Sequence, residues 1–401
     1  MTDRLPLLLD LAGRRAVVVG GGPVAARRAG ALVDAGADVV VVAPDVCEDL
    51  AELVAAGRVR LERREYLPGD LAGAWLAHTA TGDRATDAAV AAEAERLRVW
   101  CVRADDAAAS PAWVPAVARA DDVTVAVNAG GDPRRAAAIR DAVALLLDTG
   151  ALPVRRVRPA PAGAIGSVAL VGGGPGDPGL ITTRGRRLLA EADVVVVDRL
   201  APRELLATLA PDVEVIEAGK APHAHTLTQA QINDVLVERA RAGRRVVRLK
   251  GGDPFVLGRG GEEALACLEA GVPVEVVPGV TSAVAVPAAA GIPVTHRGLS
   301  RQVTIVSAHD APPDWEVLAR LEGTLVLLMG VARLPDLAAQ LVAHGRAATT
   351  PVAVVERGTL PDQRTTTGTL ADIADVAAAR GVTSPAVIVV GEVAALHARL
   401  G

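Results

Sequence analysis

The stretch RAVVVGGGPVAARRAG, residues 15–30, has the pattern of a β-strand, a glycine-rich turn and the first turns of an α-helix. A second valine run, ADVVVVAP at residues 37–44, follows this helix after a short turn. Continuous valine runs bounded by turns are typical of parallel strands that are covered on both faces. The stretch therefore predicts an α/β domain built on a parallel sheet.

The glycine turn has the spacing GxGxxA, formed by Gly20, Gly22 and Ala25. Glycines at these positions let the main chain approach a pyrophosphate closely, and the amides at the helix N-terminus face that anion. Asp45 follows the second strand, where it can accept a hydrogen bond from a ribose hydroxyl. The alternatives are a merely tight turn at the glycines and, for Asp45, a turn with a helix cap. The predicted nucleotide contacts are Gly20, Gly22, Pro23, Val24, Pro44 and Asp45.

Composition restricts the classes of function. The 401 residues suffice for two or three domains, and the formal net charge of −5 argues against nonspecific binding of polyanions. One Phe, one Tyr and four Trp leave little aromatic surface for stacking on nucleic-acid bases. Three scattered cysteines and seven histidines without metal-ligand spacing indicate neither a disulfide framework nor a metal site. No apolar run is long enough for a membrane span, so we expect a soluble cytoplasmic protein that binds neither nucleic acid nor membrane.

The chain changes character after residue 148. The segment TGALPVRRVRPAPAGAIG, residues 149–166, is rich in proline and arginine and has no periodicity, which predicts a linker. From Ser167 the alternation of strands and helices resumes, and a second block from about residue 302 repeats it. These βαβ patterns predict two further α/β layers after the linker.

The segment VGGGP recurs at residues 171–175, but GDPGL follows it and delays the helix, for which Thr182 is a suitable N-cap. Asp198, Lys220 and the GGDP turn at residues 251–254 each follow one of the next strands. The carboxyl ends of parallel strands form one rim, where ligand sites of open α/β sheets lie. Lys220 is one of only two lysines in the chain, and lysine, unlike arginine, can release a proton. It is a candidate proton donor, with a plain phosphate or carboxylate clamp as the alternative.

The motifs of this second part resemble uroporphyrinogen III C-methyltransferases of the tetrapyrrole methylase class, over about residues 166–399. They are VVDRL (196–200), RLKGGDPFVLGRGGEE (248–263), VPGVTSAVAVPAAAGIPVTHRG (277–298), LMG (328–330) and VVERGT (354–359). The resemblance implies S-adenosylmethionine bound in a folded pose between two α/β subdomains, with Asp198 as general base and Lys220 as proton donor. The alternative for Asp198 is a partner of Arg199 or a helix cap. The implied cofactor contacts are Pro175, Gly251, Gly252, Asp253, Val256, Thr281, Ser282, Met329 and Gly358.

The first part resembles the precorrin-2 dehydrogenase and sirohydrochlorin ferrochelatase domain, over about residues 4–147. The motifs are residues 14–45, TATGD (79–83), VWCVRADD (99–106) and AVNAGGDPRRAAAIR (126–140). The resemblance implies that Asp105 is an acid/base that takes protons from the macrocycle. The family usually has Asn where this chain has Val102, and a helical extension where it has the linker. The alternative for Asp105 is a solvated acid of the turn.

Together the two parts resemble the fused siroheme synthases. The resemblance implies methylation of uroporphyrinogen III at C2 and C7 to precorrin-2, oxidation by NAD to sirohydrochlorin, insertion of ferrous iron as a substrate, and a homodimer. One alternative is a methylase whose N-terminal domain is a non-catalytic scaffold that binds NAD or a tetrapyrrole; another is a different tetrapyrrole methylase of cobalamin synthesis. A substrate with eight carboxylates predicts a basic mouth. Its candidate residues are Arg184, Arg187, Arg199, Arg248, Arg259 and Arg297.

The expected fold is therefore α/β, with an N-terminal Rossmann-like NAD-binding domain followed by a tetrapyrrole methylase of two α/β subdomains. The predicted boundaries are 1–112 for the NAD-binding domain, 113–150 for a strand–helix dimerisation region, 151–165 for the linker, 166–298 for the first methyltransferase subdomain and 299–401 for the second.

Overall fold

A computed structural model describes residues 4–120, 122–152, 155, 161, 163–219, 227–309 and 314–401. The chain divides into two compact units: residues 1–119 with 124–141, and residues 120–123 with 142–401. Within the described ranges, no helix is both long and apolar enough to cross a membrane.

The first unit is built on a parallel sheet of five strands in the order β3-β2-β1-β4-β5. The strand order reverses between β1 and β4, so a crevice opens at the carboxyl ends of these two strands. A separate pair, β6 and β7, follows in the chain. The strands are β1 (Arg15–Val19), β2 (Asp38–Val42), β3 (Arg60–Glu62), β4 (Leu76–Thr79), β5 (Trp100–Arg103), β6 (Ala116–Ala120) and β7 (Val123–Val127). The helices are α1 (Pro23–Asp34), α2 (Glu48–Ala55), α3 (Arg84–Leu97) and α4 (Pro133–Asp148).

Both faces of this sheet are buried, as the valine runs predict. Val18 and Val41 pack on one face with Ala25 and Leu32 of α1, whereas Val17 packs on the other face. Successive side chains of a strand point to opposite faces, so a strand covered by helices on both sides must be apolar throughout. The α/β prediction from residues 15–30 is confirmed.

The second unit begins with another parallel sheet, in the order β10-β9-β11-β8-β12. Thr182 and Thr228 cap the helices that follow them, and Thr228 forms a capping box with Gln231. The strands are β8 (Ser167–Gly172), β9 (Val194–Val197), β10 (Glu214–Glu217), β11 (Arg245–Lys250) and β12 (Val274–Val277). The helices are α5 (Thr183–Glu191), α6 (Gln229–Arg241), α7 (Gly260–Glu269) and α8 (Ser282–Ala289).

The third sheet, in the order β13-β14-β17-β15-β16, is mixed, which the predicted βαβ repeat does not anticipate. β17 runs antiparallel to both β14 and β15, and β16 is antiparallel to β15. Only residues 357–363 join β15 to β16, too short a connection for a parallel crossover. The strands are β13 (Val303–Ser307), β14 (Thr324–Leu328), β15 (Pro351–Glu356), β16 (Arg364–Thr369) and β17 (Ala386–Val390). The helices are α9 (Trp315–Arg320), α10 (Leu334–Ala343), α11 (Ile373–Ala379) and α12 (His397–Leu400).

Candidate functional site

Three glycine turns meet at the carboxyl edge of the parallel sheet in the second unit. Gly172 ends β8, Gly252 follows β11, and Gly279 follows β12. A Cβ atom on Gly172 would lie 2.5 Å from the Cα of Gly279 and 2.7 Å from the carbonyl oxygen of Gly252. Gly174 and Gly252 also exchange two backbone hydrogen bonds, of 3.2 and 2.7 Å. The three turns therefore contact each other through main chain, and a side chain at Gly172 would separate them.

Gly252 also lies against the start of α8. A Cβ atom on it would be 3.6 Å from the amide nitrogen of Ser282 and 3.8 Å from the Cα of Thr281, and its φ of +67° favours glycine. The Thr281 side chain caps α8 by accepting a hydrogen bond from the amide of Ala283. Three of the predicted cofactor contacts, Gly252, Thr281 and Ser282, are thus neighbours.

Asp253 holds the β11 turn and the β12 turn together. One carboxylate oxygen accepts a 2.8 Å hydrogen bond from the amide of Phe255, and the other accepts a 3.0 Å bond from the amide of Gly279. The carbonyl oxygen of Asp253 accepts from the amide of Val256 at 3.4 Å. A polar ligand of Asp253 would therefore have to use the remaining lone pairs of an acid that already shapes the loop.

The third sheet contributes to the same region through the loop after β15. The Thr359 hydroxyl accepts a 3.1 Å hydrogen bond from the amide of Asp177, which follows the first glycine turn. A Cβ atom on Gly358 would lie 2.3 Å from a methyl carbon of Val286 on α8, so this loop packs tightly against the helix. Met329 follows β14 with a φ of +58° and a half-exposed side chain.

Asp198 follows β9 on this rim, and its amide donates to the carbonyl of Leu249 at 2.9 Å. The guanidinium of Arg248 lies 3.7 Å from its carboxylate. The Asp198 side chain is 37% exposed, whereas that of Arg248 is 3% exposed. An accessible acid therefore faces a buried cation.

Arg248 belongs to a buried polar cluster around Glu263 of α7. Arg248 and Lys250 are two positions apart on β11 and share one sheet face, so both reach the same carboxylate. Arg248 Nε is 3.1 Å from Glu263 Oε1, and Lys250 Nζ is 3.0 and 3.1 Å from the two oxygens. The Gln229 amide also donates to Glu263, at 3.3 Å. Burial, reinforced by the charge of Arg248, lowers the pKa of Lys250.

The first unit has its own glycine turn, after β1. A Cβ atom on Gly20 would lie 2.3 Å from the carbonyl oxygen of Ala80, and one on Gly21 would lie 1.8 Å from that of Asp45. Gly22, the N-cap of α1, has open space at its Cβ position, and Pro23 occupies the first helical turn. The first two glycines thus pack against neighbouring loops, while the third leaves the helix N-terminus accessible.

Pro44 and Asp45 lie beside this turn, and both are exposed. The amide of Cys47 donates to the carbonyl of Gly21 at 2.8 Å. The residue that caps α2 is Cys47 rather than Asp45, so the helix-cap alternative for Asp45 is wrong. Val24, at the start of α1, is also exposed.

Asp105 follows β5 on the same edge of this sheet, two strands from β1. Arg103 donates two hydrogen bonds to its carboxylate, and their lengths are 3.0 and 2.7 Å. This pairing lowers the pKa of Asp105. The alternative of a solvated acid is therefore wrong, because both oxygens are held by a guanidinium.

Comparison with known proteins assigns a family to each of two parts of the chain. The profile of the tetrapyrrole (corrin/porphyrin) methylases matches residues 167–374, and that of an NAD(P)-binding family matches residues 7–116. Siroheme synthase of Chromobacterium violaceum is 39% identical over 450 aligned positions, which cover 98% of this chain and 96% of that protein. The chain belongs to the siroheme synthase family.

A shorter relative and two solved structures match the second unit. The S-adenosyl-L-methionine-dependent uroporphyrinogen III methyltransferase of Methanosarcina barkeri is 53% identical over 245 residues, 60% of this chain and 96% of its own. The uroporphyrin-III C-methyltransferase of Thermus thermophilus has a TM-score of 0.50 at 42% identity, over 59% of this chain and 96% of that one. A cobalt precorrin-4 methyltransferase has a TM-score of 0.52 at 30% identity, over 57% and 95%. This siroheme synthase homologue is thus a methyltransferase of siroheme biosynthesis whose substrates are small tetrapyrroles.

Several predicted residues of this siroheme synthase homologue have other surroundings than expected. Lys220 lies outside the described residues. The prediction that Arg248 is an open, substrate-binding arginine of a basic mouth is wrong, because its side chain is buried against Glu263. Arg184 and Arg259 are exposed but form ion pairs with glutamates, and Arg199 and Arg297 are exposed.

The partners of these groups were not apparent from the sequence. Glu263 comes 13 residues after Lys250, and this spacing gives no sign that the two side chains are in contact. Arg103 ends β5 and Asp105 lies two residues further in a bend, so their pairing depends on the local course of the backbone. Among the residues that the structure describes, no cluster of three His, Cys, Asp or Glu side chains could hold a metal ion.

Proposed function

We propose that the second unit transfers methyl groups from S-adenosylmethionine to C2 and C7 of uroporphyrinogen III, which gives precorrin-2. The observation that carries this proposal is the rim on which Gly252, Thr281 and Ser282 are neighbours and Asp198 follows the adjacent strand. The relatives named for uroporphyrinogen III are 53% and 42% identical, against 30% for the cobalt precorrin-4 enzyme, which favours this substrate.

The chemistry of the rim fits the cofactor. The glycine turns allow the main chain of three loops to come close together at the rim, and the half-exposed Met329 offers a soft apolar wall. When bound, S-adenosylmethionine supplies an electrophilic methyl group. The residues proposed to hold it are Pro175, Gly251, Gly252, Asp253, Val256, Thr281, Ser282, Met329 and Gly358.

Asp198 is the proposed proton acceptor. When a pyrrole carbon gains a methyl group, the ring must lose a proton from another position to restore conjugation. A carboxylate on the rim can accept that proton. The buried guanidinium of Arg248 keeps that carboxylate in place from one side, while its exposed side remains open to the macrocycle. Lys220 is the proposed proton donor on the strength of the family resemblance. The rest of the unit mainly positions the two reactants.

The test measures the transfer of a labelled methyl group from S-adenosylmethionine. The rate with uroporphyrinogen III as acceptor is compared with the rate with cobalt precorrin-4. We expect label in the singly and doubly methylated products of uroporphyrinogen III. Preferential labelling of cobalt precorrin-4 would instead assign the unit to cobalamin synthesis. Calorimetric titration with S-adenosylhomocysteine, performed on the same samples, measures the cofactor site separately from the acceptor.

We propose further that the first unit binds NAD and uses it to oxidise precorrin-2 to sirohydrochlorin, with ferrous iron inserted afterwards as a substrate. The accessible helix N-terminus at Gly22 supports the nucleotide part, since amides and dipole there favour a pyrophosphate. When bound, NAD accepts a hydride. The residues proposed to hold it are Gly20, Gly22, Pro23, Val24, Pro44 and Asp45, and Asp105 is proposed to take the proton.

Gly22→Ala tests the nucleotide site. Its φ of −80° and the open space at its Cβ suit alanine, so we expect an intact fold and at least tenfold weaker NAD binding. Gly30→Ala is the matched control, because Gly30 is in the same helix and also has open space at its Cβ. Equal NAD affinity in both variants would refute a pyrophosphate at this turn. NAD binding without oxidation of precorrin-2 would favour the scaffold alternative.

We also propose a cytoplasmic homodimer with the domain boundaries given above, on the strength of the family resemblance. Analytical ultracentrifugation of the full chain tests the dimer. Limited proteolysis tests the boundaries, with cleavage expected within residues 151–165. Fractionation of cells that express the chain tests the compartment.

A further inference from the structure

The ion pair of Arg103 and Asp105 is a closed, two-pronged contact. Arg103 Nε donates to one carboxylate oxygen at 3.0 Å, and its terminal nitrogen donates to the other at 2.7 Å. The side chains are only 12% and 15% exposed. The amide of Arg103 also donates to the hydroxyl of Ser110, itself buried, which donates to the carbonyl of Ala112. The pair is therefore mounted on a fixed backbone.

Other charged groups nearby do not compete for this contact. Asp87 of α3 accepts hydrogen bonds from the amide and hydroxyl of Thr81, at 3.3 and 2.8 Å. Asp106 accepts from the amides of residues 108 and 109, both at 3.0 Å. Arg84 at the start of α3 adds only a smaller Coulombic effect to that of Arg103 on Asp105.

This arrangement weakens Asp105 as a base. A guanidinium that binds both oxygens occupies one lone pair on each, which leaves a proton only the remaining ones, and it favours the ionised carboxylate. Arg103 accordingly lowers the pKa of Asp105. By the Brønsted relation, a carboxylate with a lower pKa is a weaker general base, so the rate of proton abstraction from the substrate is lower.

We propose that Arg103 is a positioning residue that restrains Asp105 as proton acceptor of the N-terminal reaction. The inference rests on the proposed oxidation, in which precorrin-2 loses one hydride to NAD and one proton to Asp105. The two electrons leave with the hydride, so no other oxidant is needed. Removal of Arg103 keeps Asp105 at the end of β5 and frees the lone pair that Arg103 occupies on each of its oxygens.

The activity test compares the rate of NADH formation from precorrin-2 in the full chain and its variants. For Arg103→Ala we expect a rate about three- to tenfold above wild type at pH 7, with an intermediate rate for Arg103→Lys. A rate equal to or below wild type in Arg103→Ala overturns the inference. If neither the wild type nor Arg103→Ala oxidises precorrin-2, the inference and the proposed oxidation are both overturned. NAD binding is measured separately and tests only the nucleotide site.

Two controls separate the inference from the proposed function. Arg64→Ala removes a matched two-pronged pair in the same unit, where Arg64 binds Asp70 at 2.8 and 2.7 Å, and its rate should equal that of wild type. An acceleration in Arg64→Ala as well would overturn the inference, because the effect would not be specific to Asp105. Asp105→Asn should abolish oxidation; unchanged oxidation there would refute the proposed role of Asp105 itself.

A second readout needs neither NAD nor substrate. Carbon-13 NMR of the aspartate carboxyls, assigned with Asp105→Asn, follows the titration of Asp105 in the free protein. We expect this carboxyl to titrate at higher pH in Arg103→Ala than in wild type, and at the wild-type pH in Arg64→Ala. An unchanged titration in Arg103→Ala overturns the inference even if the rate rises.

Discussion

The guanidinium of Arg248 and the carboxylate of Asp198 lie 3.7 Å apart across the neighbouring parallel strands β11 and β9. Arg248 also donates to Glu263 at 3.1 Å, so its position is fixed from below the rim. The acid proposed to take the proton therefore has a buried, anchored cation on one side. Its orientation depends on residues that do not themselves reach the surface.

Asp198→Asn should lower the rate of methyl transfer into uroporphyrinogen III about 100-fold or more, the usual loss for a removed general base. The amide has the shape of the carboxylate but cannot accept the proton. Because Asp198 is partly exposed, we expect the fold and the affinity for S-adenosylhomocysteine to remain those of wild type. Initial rates with labelled cofactor provide the measurement. Retention of full activity would remove Asp198 from the mechanism.

Glu263→Gln should reduce the free energy of unfolding of the second unit by about 3–5 kcal/mol, the loss typical of breaking a buried ion pair. The variant leaves Arg248 and Lys250 side by side without the carboxylate that both contact. Glu262→Gln is the matched control, since Glu262 precedes it in α7 and forms an exposed pair with Arg259. We expect a much smaller loss there, because solvent screens an exposed ion pair. Urea unfolding measures both, and equal losses would contradict a structural role for the cluster.

Gly358→Ala should weaken the binding of S-adenosylhomocysteine about tenfold. This loss corresponds to a cost on the order of 1.4 kcal/mol for displacing the loop that contains Gly358. The new methyl group would lie 2.3 Å from a Val286 methyl carbon, so the loop after β15 must move away from α8. Calorimetric titration measures the affinity. Val286→Ala makes room for the new methyl group. The double variant should therefore lose less affinity for S-adenosylhomocysteine than the two single losses multiplied together would give. Strict additivity would show that the contact does not control the site.

The first unit should lose stability as the pH falls from about 6.5 to about 4. Burial, with a contribution from the charge of Arg28, lowers the pKa of His78 from 6.5 to about 4. Between these values the unfolded chain binds a proton that the folded unit excludes, so the free energy of unfolding rises with pH, by about 3 kcal/mol across the window. Unfolding followed by urea titration at several pH values measures this dependence.

His78→Gln should reduce this dependence because the side chain no longer titrates. His344→Gln, at an exposed histidine of the second unit, is the control and should leave the dependence unchanged. If the slope persists in His78→Gln, the acid sensitivity arises from another group.

Local chemistry made much of the fold predictable. Valine runs that end in glycines identified the parallel sheets, and Thr182 marked the start of α5 through its side-chain cap. The strand β16 could not be predicted, because its sequence RTTTGT is polar and has no apolar pattern. The antiparallel course of β17 is set by pairing with β14 and β15, which are far apart in the sequence.

The site was predictable at the level of which residues reach the rim, because parallel strands bring their carboxyl ends together. The partners of those residues were not. Glu263 comes from a helix on the sheet face, and its contact with Arg248 depends on how α7 packs rather than on spacing in the sequence. The clash that excludes a side chain at Gly358 likewise depends on Val286, 72 positions away.

The junction of Gly172, Gly252 and Gly279 has a consequence for inhibition. An inhibitor that packs against these turns would recognise the path of the main chain rather than particular side chains. A resistant variant would have to displace the turns themselves, yet a Cβ at Gly172 would collide with main chain at 2.5 Å. Escape from such a compound would therefore also damage the turns on which the enzyme depends.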